Sequence, residues 1–252
     1  MGTTKDTDPS ADSREVERAK EIARGPLGKE LSKSVLYTGT ATRIELRGKH
    51  IAITCDHVLQ KYDQIIGEGK SAQLQIGNLN LDPSNSTIDR NSDVDIATLD
   101  LEPYNLDRVS LDKNIGDRFI TPFEWPPSEI TENDLFITGG FPRVFRKRVA
   151  PTEFLFASLS IGPVAVSRAY SDEITCRFER EYWVSDRNPF GIDINTLDDL
   201  GGLSGSPVFK YDQTQIRTFE FVGIVFEYCR IPFDLLKIRL ANTLDLNGKI
   251  LT

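Results

Sequence analysis

The feature that most constrains this chain is its punctuation. Between residues 34 and 101 it carries short apolar and β-branched runs, at 34–46, 50–55, 72–81 and 95–101. A second set follows at 118–123, 134–140, 153–161, 173–183, 206–211 and 219–228. Turn-forming residues separate these runs at short intervals, and strands so punctuated build an all-β sandwich or barrel. Helical periodicity is confined to the two ends. Val16, Ala19, Ile22 and Ala23 share one face of an expected helix over 13–24, opened by Asp12 with Glu15 three residues on and stopped by Gly25-Pro26. The run from Asp234 to Ala241 predicts a short closing helix. The proline- and acid-rich stretch 122–134 reads as a linker. The expected organisation is a tail and helix (1–32), a first strand group (33–121), the linker, and a second strand group with its closing helix (135–252).

With 252 residues, 39% of them hydrophobic, the chain can bury a sizeable core. Its net charge of −8 argues against nucleic acid as a partner. It has no run of about 18 apolar residues, so no membrane association is expected. The N-terminal stretch lacks an apolar signal segment. Three scattered cysteines, Cys55, Cys176 and Cys229, do not suggest a disulfide framework or a zinc site. Reduced thiols in a cytoplasmic protein without metal or cofactor are the expectation.

One set of residues suggests acyl-transfer chemistry. A serine nucleophile needs a base, a carboxylate to orient the base, and backbone amides to hold an oxyanion. Ser204 lies in Gly201-Gly202-Leu203-Ser204-Gly205-Ser206-Pro207, where flanking glycines permit a tight turn that aims the amides of Gly202 and Ser204 at one point. Taken alone, such a stretch is equally a glycine-rich hairpin. The chain has two histidines. His57 follows an apolar strand and suits a cleft, whereas His50 sits in a polar turn. Asp95 directly precedes the apolar run Ile96–Leu99, which favours it over its rival Asp93. Other short signals fail. Gln64 stands where a phosphate loop over 64–71 needs glycine, and neither Asp93-Val94-Asp95 nor Asp193-Ile194-Asn195 leads to the glycine of a calcium loop. The basic run Arg146–Arg148 reads as a solvated turn able to dock an acidic partner.

In the order His57, Asp95, Ser204, these residues resemble the trypsin-like (chymotrypsin-fold) serine peptidases. Thr54-Cys55-Asp56-His57 is similar to the family's histidine motif, with Asp56 an unusual neighbour. Gly202-Leu203-Ser204-Gly205-Ser206-Pro207 matches its serine motif, and Phe221–Val225 resembles the strand leading to its substrate cleft. Gly139-Gly140-Phe141-Pro142 is like a turn of bacterial members, and the chain looks closest to the disulfide-free ones. The resemblance spans about residues 33–245. It implies two six-stranded antiparallel Greek-key β-barrels with the active site in the cleft between them. It also implies a serine endopeptidase acting on polypeptides through His57, Asp95 and Ser204, with an oxyanion hole at Gly202 and Ser204. Phe226, Glu227 and Tyr228 would pair with bound peptide as an added strand. Asp198 falls near the family's pocket carboxylate, although a solvated acidic loop over 196–199 accounts for it slightly better. Leu203 replaces the aspartate through which secreted members are switched on by a new N-terminus, so control is expected through a regulatory protein partner or a loop rearrangement.

Overall fold

The computed structural model describes residues 39–251 apart from 77–78, 105, 107–118, 151–152, 178, 181–182, 185–190, 194–196, 198–199, 213–217 and 231–232. The helix expected over 13–24 lies outside the described residues. Most of those described belong to one compact unit, Tyr37–Lys147 with Phe156–Thr252. Residues 148–155 belong to a separate unit.

The first half of the larger unit is built on four antiparallel strands and a helix. Strand β1 (Thr42–Leu46) turns through Arg47-Gly48 into β2 (Lys49–Thr54). Both turn residues have positive φ, +50° and +79°, the backbone that a two-residue hairpin demands. Thr42, Ile44 and Leu46 point inward while Arg43 and Glu45 lie partly exposed, the period-two alternation of a half-buried strand. Helix α1 (Asp56–Gly67) follows β2 directly. A small hairpin of β3 (Leu74–Ile76) and β4 (Leu79–Leu81), then a single helical turn, α2 (Pro83–Ser86), lead to β5 (Thr87–Asn91) and β6 (Ile96–Asp100). The sheet order is β1-β2-β6-β5. Ala52, Leu59, Ala97 and Leu99 pack with Leu79 and Leu81 of the hairpin in one core cluster.

The second half closes on itself. After β7 (Leu135–Gly140) come β8 (Arg146–Ala150), β9 (Glu153–Phe156), β10 (Leu159–Ala169), β11 (Glu173–Arg177), β12 (Trp183–Val184), β13 (Pro207–Asp212), β14 (Thr218–Cys229) and β15 (Leu235–Leu240). The order β11-β15-β14-β13-β7-β10 is completed by β10 pairing with β11, which makes a closed six-stranded antiparallel barrel with β12 appended to β10. Closure removes the exposed strand edges that an open sheet must protect. Phe136, Leu159, Ile161, Ile174, Val222 and Ile238 are among the side chains filling its interior.

The closing helix expected over 234–241 is instead the strand β15. Leu236, Ile238 and Leu240 alternate into the core, and hydrogen bonding to β14 on one side and β11 on the other outweighs the weak helical pattern. Only a 3-10 turn, Ala241–Thr243, follows. The stretch expected as a linker forms no regular element. All three cysteines are unpaired thiols. Among the described residues no helix is long and apolar enough to cross a membrane.

Candidate active site

His57 is delivered by the end of β2. Thr54 is the strand's last residue, Cys55 caps the helix, and His57 lies in the first turn of α1, about half exposed. Because β6 pairs with β2, with Ala97 opposite Thr54, the residue just before β6 comes to lie beside His57. That residue is Asp95, held at φ +52° in a region that aspartate tolerates better than most side chains. Its Oδ1 accepts from the His57 amide at 2.9 Å and its Oδ2 from Nδ1 at 2.7 Å. An ionised carboxylate only accepts, so the imidazole proton sits on Nδ1 and Nε2 keeps its lone pair. The hydrogen bond to Asp95 raises the His57 pKa. Burial opposes the rise, and the charges of Asp95 and then Asp56 add to it. Asp93 is exposed, and its amide donates to Asn91 Oδ1 at 2.8 Å, so Asp95 rather than Asp93 contacts His57.

Asp56, the residue that fits the histidine motif least, has a structural role. Its side chain is 5% exposed and accepts from Arg90 Nε at 2.6 Å and Gln60 Nε2 at 2.7 Å. Arg90 Nη1 also reaches Asp63 at 2.7 Å. Arg90 is the penultimate residue of β5, next to Asn91, whose turn leads to Asp95. The pair therefore ties the start of the His57 helix to the root of the Asp95 loop.

The serine loop is anchored on both sides. Leu200 and Leu203 are buried in the barrel core, so the residue beside Ser204 is a hydrophobic anchor. The Gly205 amide donates to Val225 O at 2.7 Å and the Val225 amide returns a bond to Ser206 O at 2.9 Å. From the other half, the Thr40 amide donates to Ser204 O at 2.8 Å, Thr40 Oγ1 to Gly202 O at 2.6 Å and Thr42 Oγ1 to Gly205 O at 2.7 Å. Gly202 and Gly205 have φ +105° and +89°. A Cβ on Gly202 would stand 2.8 Å from Phe141 O, and one on Gly205 would overlap the Thr40 carbonyl. The amides of Gly202 and Ser204 donate to no acceptor among the described residues.

Ser204, His57 and Asp95 line one cavity of about 580 Å³, within the usual range for ligand sites. No hydrogen bond joins the Ser204 hydroxyl to His57 among the described residues. Phe226, Glu227 and Tyr228 line the same cavity, whereas Asp198 lies outside the described residues. Phe226 is the extra residue of a bulge where the β14–β15 register shifts between Val225 and Glu227. The β13 partners of β14 end at Ile224, so the second edge of 226–229 pairs with no strand among the described residues.

Several groups that shape this wall carry no motif. Lys237 Nζ binds Glu227 at 2.6 Å and, with the Cys229 thiol at 3.0 Å, holds the Glu227 carboxyl below its usual range. Tyr228 donates to Asp234, which Arg180 Nε also binds at 3.1 Å, and burial pushes the phenol pKa up. Lys237 and Asp234 belong to the segment read as a helix, which hid them.

Cys55, His57 and Asp95 also bring their donor atoms within 4.8 Å of one another. The Cys55 thiol is held well above its ordinary pKa by burial and then by Asp95, and it donates to Val225 O at 3.5 Å. It is a protonated donor there, while both Asp95 oxygens are engaged by His57, so the arrangement suits acid–base chemistry better than metal ligation. Neither a protein-family model nor a curated protein sequence matches the chain.

Proposed function

We propose that this protein is a serine endopeptidase of the trypsin-like kind. The observation that carries the reading is the placing of Ser204 in one cavity with the hydrogen-bonded His57–Asp95 pair, on a loop whose Gly202 and Ser204 amides have no acceptor among the described residues. In this reading His57 Nε2 takes the Ser204 proton as Oγ attacks a peptide carbonyl, and the two amides receive the oxyanion. His57 then protonates the leaving amine, and water attacks the acyl-enzyme with His57 again as base. Asp95 holds the Nδ1–H tautomer and stabilises the imidazolium. The unpaired edge at 226–229 offers backbone groups to an extended peptide, as in strand addition.

The fuller architecture we infer is two barrels with this cavity between them. The parallel bridge from Ile44 to Ile120 and the packing of β3–β4 against β2 and β6 support a barrel-like first half. Three unpaired thiols fit a reducing, cytoplasmic setting. The Leu203 anchor has no charge for a new N-terminus to pair with, so we assign control to a regulatory partner or a loop rearrangement.

The absent Ser204–His57 hydrogen bond favours a second reading, a peptide-binding module of the same fold with little chemistry. Labelling by a fluorophosphonate probe separates the two. Wild type labels and Ser204→Ala does not if the peptidase reading holds. A folded wild type that stays unlabelled, with and without cell extract, yet binds peptides, would leave the binding module.

A further inference from the structure

The geometry points to Arg239 as a positioning residue that fixes the Asp95 loop to the serine-bearing barrel. Arg239 lies on β15, paired with Glu173 of β11 on one side and Ile224 of β14 on the other, so its backbone is held within the closed barrel. Its side chain is only 7% exposed. It leaves the barrel towards the other half of the unit, where Nε donates to Val94 O at 3.0 Å. Val94 immediately precedes Asp95, whose φ of +52° gives the loop a conformation that needs outside support. Asn91 Oδ1 holds the near end of this loop by accepting from the Asp93 and Val94 amides at 2.8 and 3.3 Å. Arg239 holds the far end.

The guanidinium is itself oriented from two directions. It pairs with Asp172, and more distantly with Glu173 at 3.4 Å. Its Cζ stands 4.7 Å from the ring centroid of Phe226, the bulged residue that lines the cavity with Ser204. One buried side chain therefore touches the residue before Asp95 and a wall residue of the serine cavity. Arg239 draws little stability from its pair with Asp172, which is 45% exposed and screened by solvent. Its planar fork of fixed donors instead suits it to holding one peptide carbonyl in one orientation. Both Asp95 oxygens are taken by His57. A rotation of the Val94–Asp95 peptide would therefore move the imidazole as well.

This inference rests on the peptidase reading for its kinetic consequence but not for its structural one. The test uses Arg239→Lys and Arg239→Met in the full chain. Lysine keeps the charge for Asp172 but has no Nε for Val94, and methionine removes both. Two readouts are taken. The first is kcat and KM on a peptide substrate. The second is the low-field imidazole Nδ1 proton resonance, assigned with His57→Gln and His50→Gln. We expect both folded variants to lose kcat on the order of 10- to 100-fold with KM little changed, because misplacing a catalytic group by about 1 Å costs that much. The His57 resonance should shift or broaden while that of His50 stays. If Arg239→Met fails to fold, Arg239→Lys carries the test. Folded variants with wild-type kcat and an unmoved His57 resonance overturn the inference. A wild type with no hydrolytic activity overturns the peptidase reading, and the His57 resonance alone then decides the role of Arg239.

Discussion

Replacing Arg90 by methionine tests whether the pair beside His57 is held by charge or by packing. Asp56 is 5% exposed at its side chain and Arg90 27%. Charge centres about 4 Å apart attract by about 4 kcal/mol at an effective dielectric constant of about 20. Partial exposure of Arg90 brings the expected loss to about 3 kcal/mol, the lower end for breaking a buried pair by removing one partner. After Arg90→Met, the Asp56 carboxylate keeps only Gln60 as a side-chain donor among the described residues. Asp63, the other partner of Arg90, is 52% exposed, so solvent screening limits Asp63→Asn to less than about 1 kcal/mol. The pairing itself is read from a double-mutant cycle with Asp56→Ala, in which the double variant recovers most of the loss because no charge is left buried alone. Urea denaturation followed by circular dichroism measures all five proteins, wild type included, and unchanged m-values show that the comparison is sound. A cost below about 1 kcal/mol for Arg90→Met, an equal cost for Asp63→Asn, or a double variant no more stable than Arg90→Met would show that the pair is not held by charge.

Three further outcomes follow from the same geometry. On the peptidase reading, Asp95→Asn removes the charged carboxylate that raises the His57 pKa, so the acidic limb of kcat/KM moves to lower pH and the rate falls by about 10⁴, measurable as a pH–rate profile. A histidine with a raised folded pKa stabilises fully below about pH 6.5, its unfolded value, and loses that contribution as pH climbs through the folded value. The melting temperature of wild type should therefore exceed that of Asp95→Asn by more at pH 6 than at pH 9. Gly205→Ala forces a Cβ onto the Thr40 carbonyl at a φ of +89°, and a loss of at least about 3 kcal/mol in chemical denaturation is expected. Ser206→Ala removes a buried hydroxyl that has no hydrogen-bond partner among the described residues, so stability should hold or rise by up to about 1 kcal/mol.

What the chain revealed before folding was its local chemistry. Glycines around Ser204 signal a turn because positive φ is a property of the residue itself, and both Gly202 and Gly205 adopt it. Asp95 could be preferred to Asp93 because a strand start is written in the next four residues. Strand β5 was illegible, since Thr-Ile-Asp-Arg-Asn has neither alternation nor β-rich composition and its pairing with β6 is made by the fold. Asp56 looked like a flaw in a motif because its partner, Arg90, lies 34 positions away.

The segment 234–241 shows why one misreading removed two findings. Leucines at 235, 236 and 240 with Ile238 satisfy a helical stripe and a strand about equally, and no local residue separates them. Yet the choice decides where Lys237 and Arg239 point. On a helix two residues apart lie about 200° from each other, so they could not serve one wall. On a strand they share a face, opposite to Leu236, Ile238 and Leu240, which enter the barrel core. That shared face is what lets Lys237 hold Glu227 in the cavity wall while Arg239 reaches Val94 beside Asp95. The same strand pairs with β11 and β14 inside the closed barrel and so aims the side chains that reach Val94 and Glu227, a support for the His57–Asp95 pair that could not be read from their own neighbourhoods.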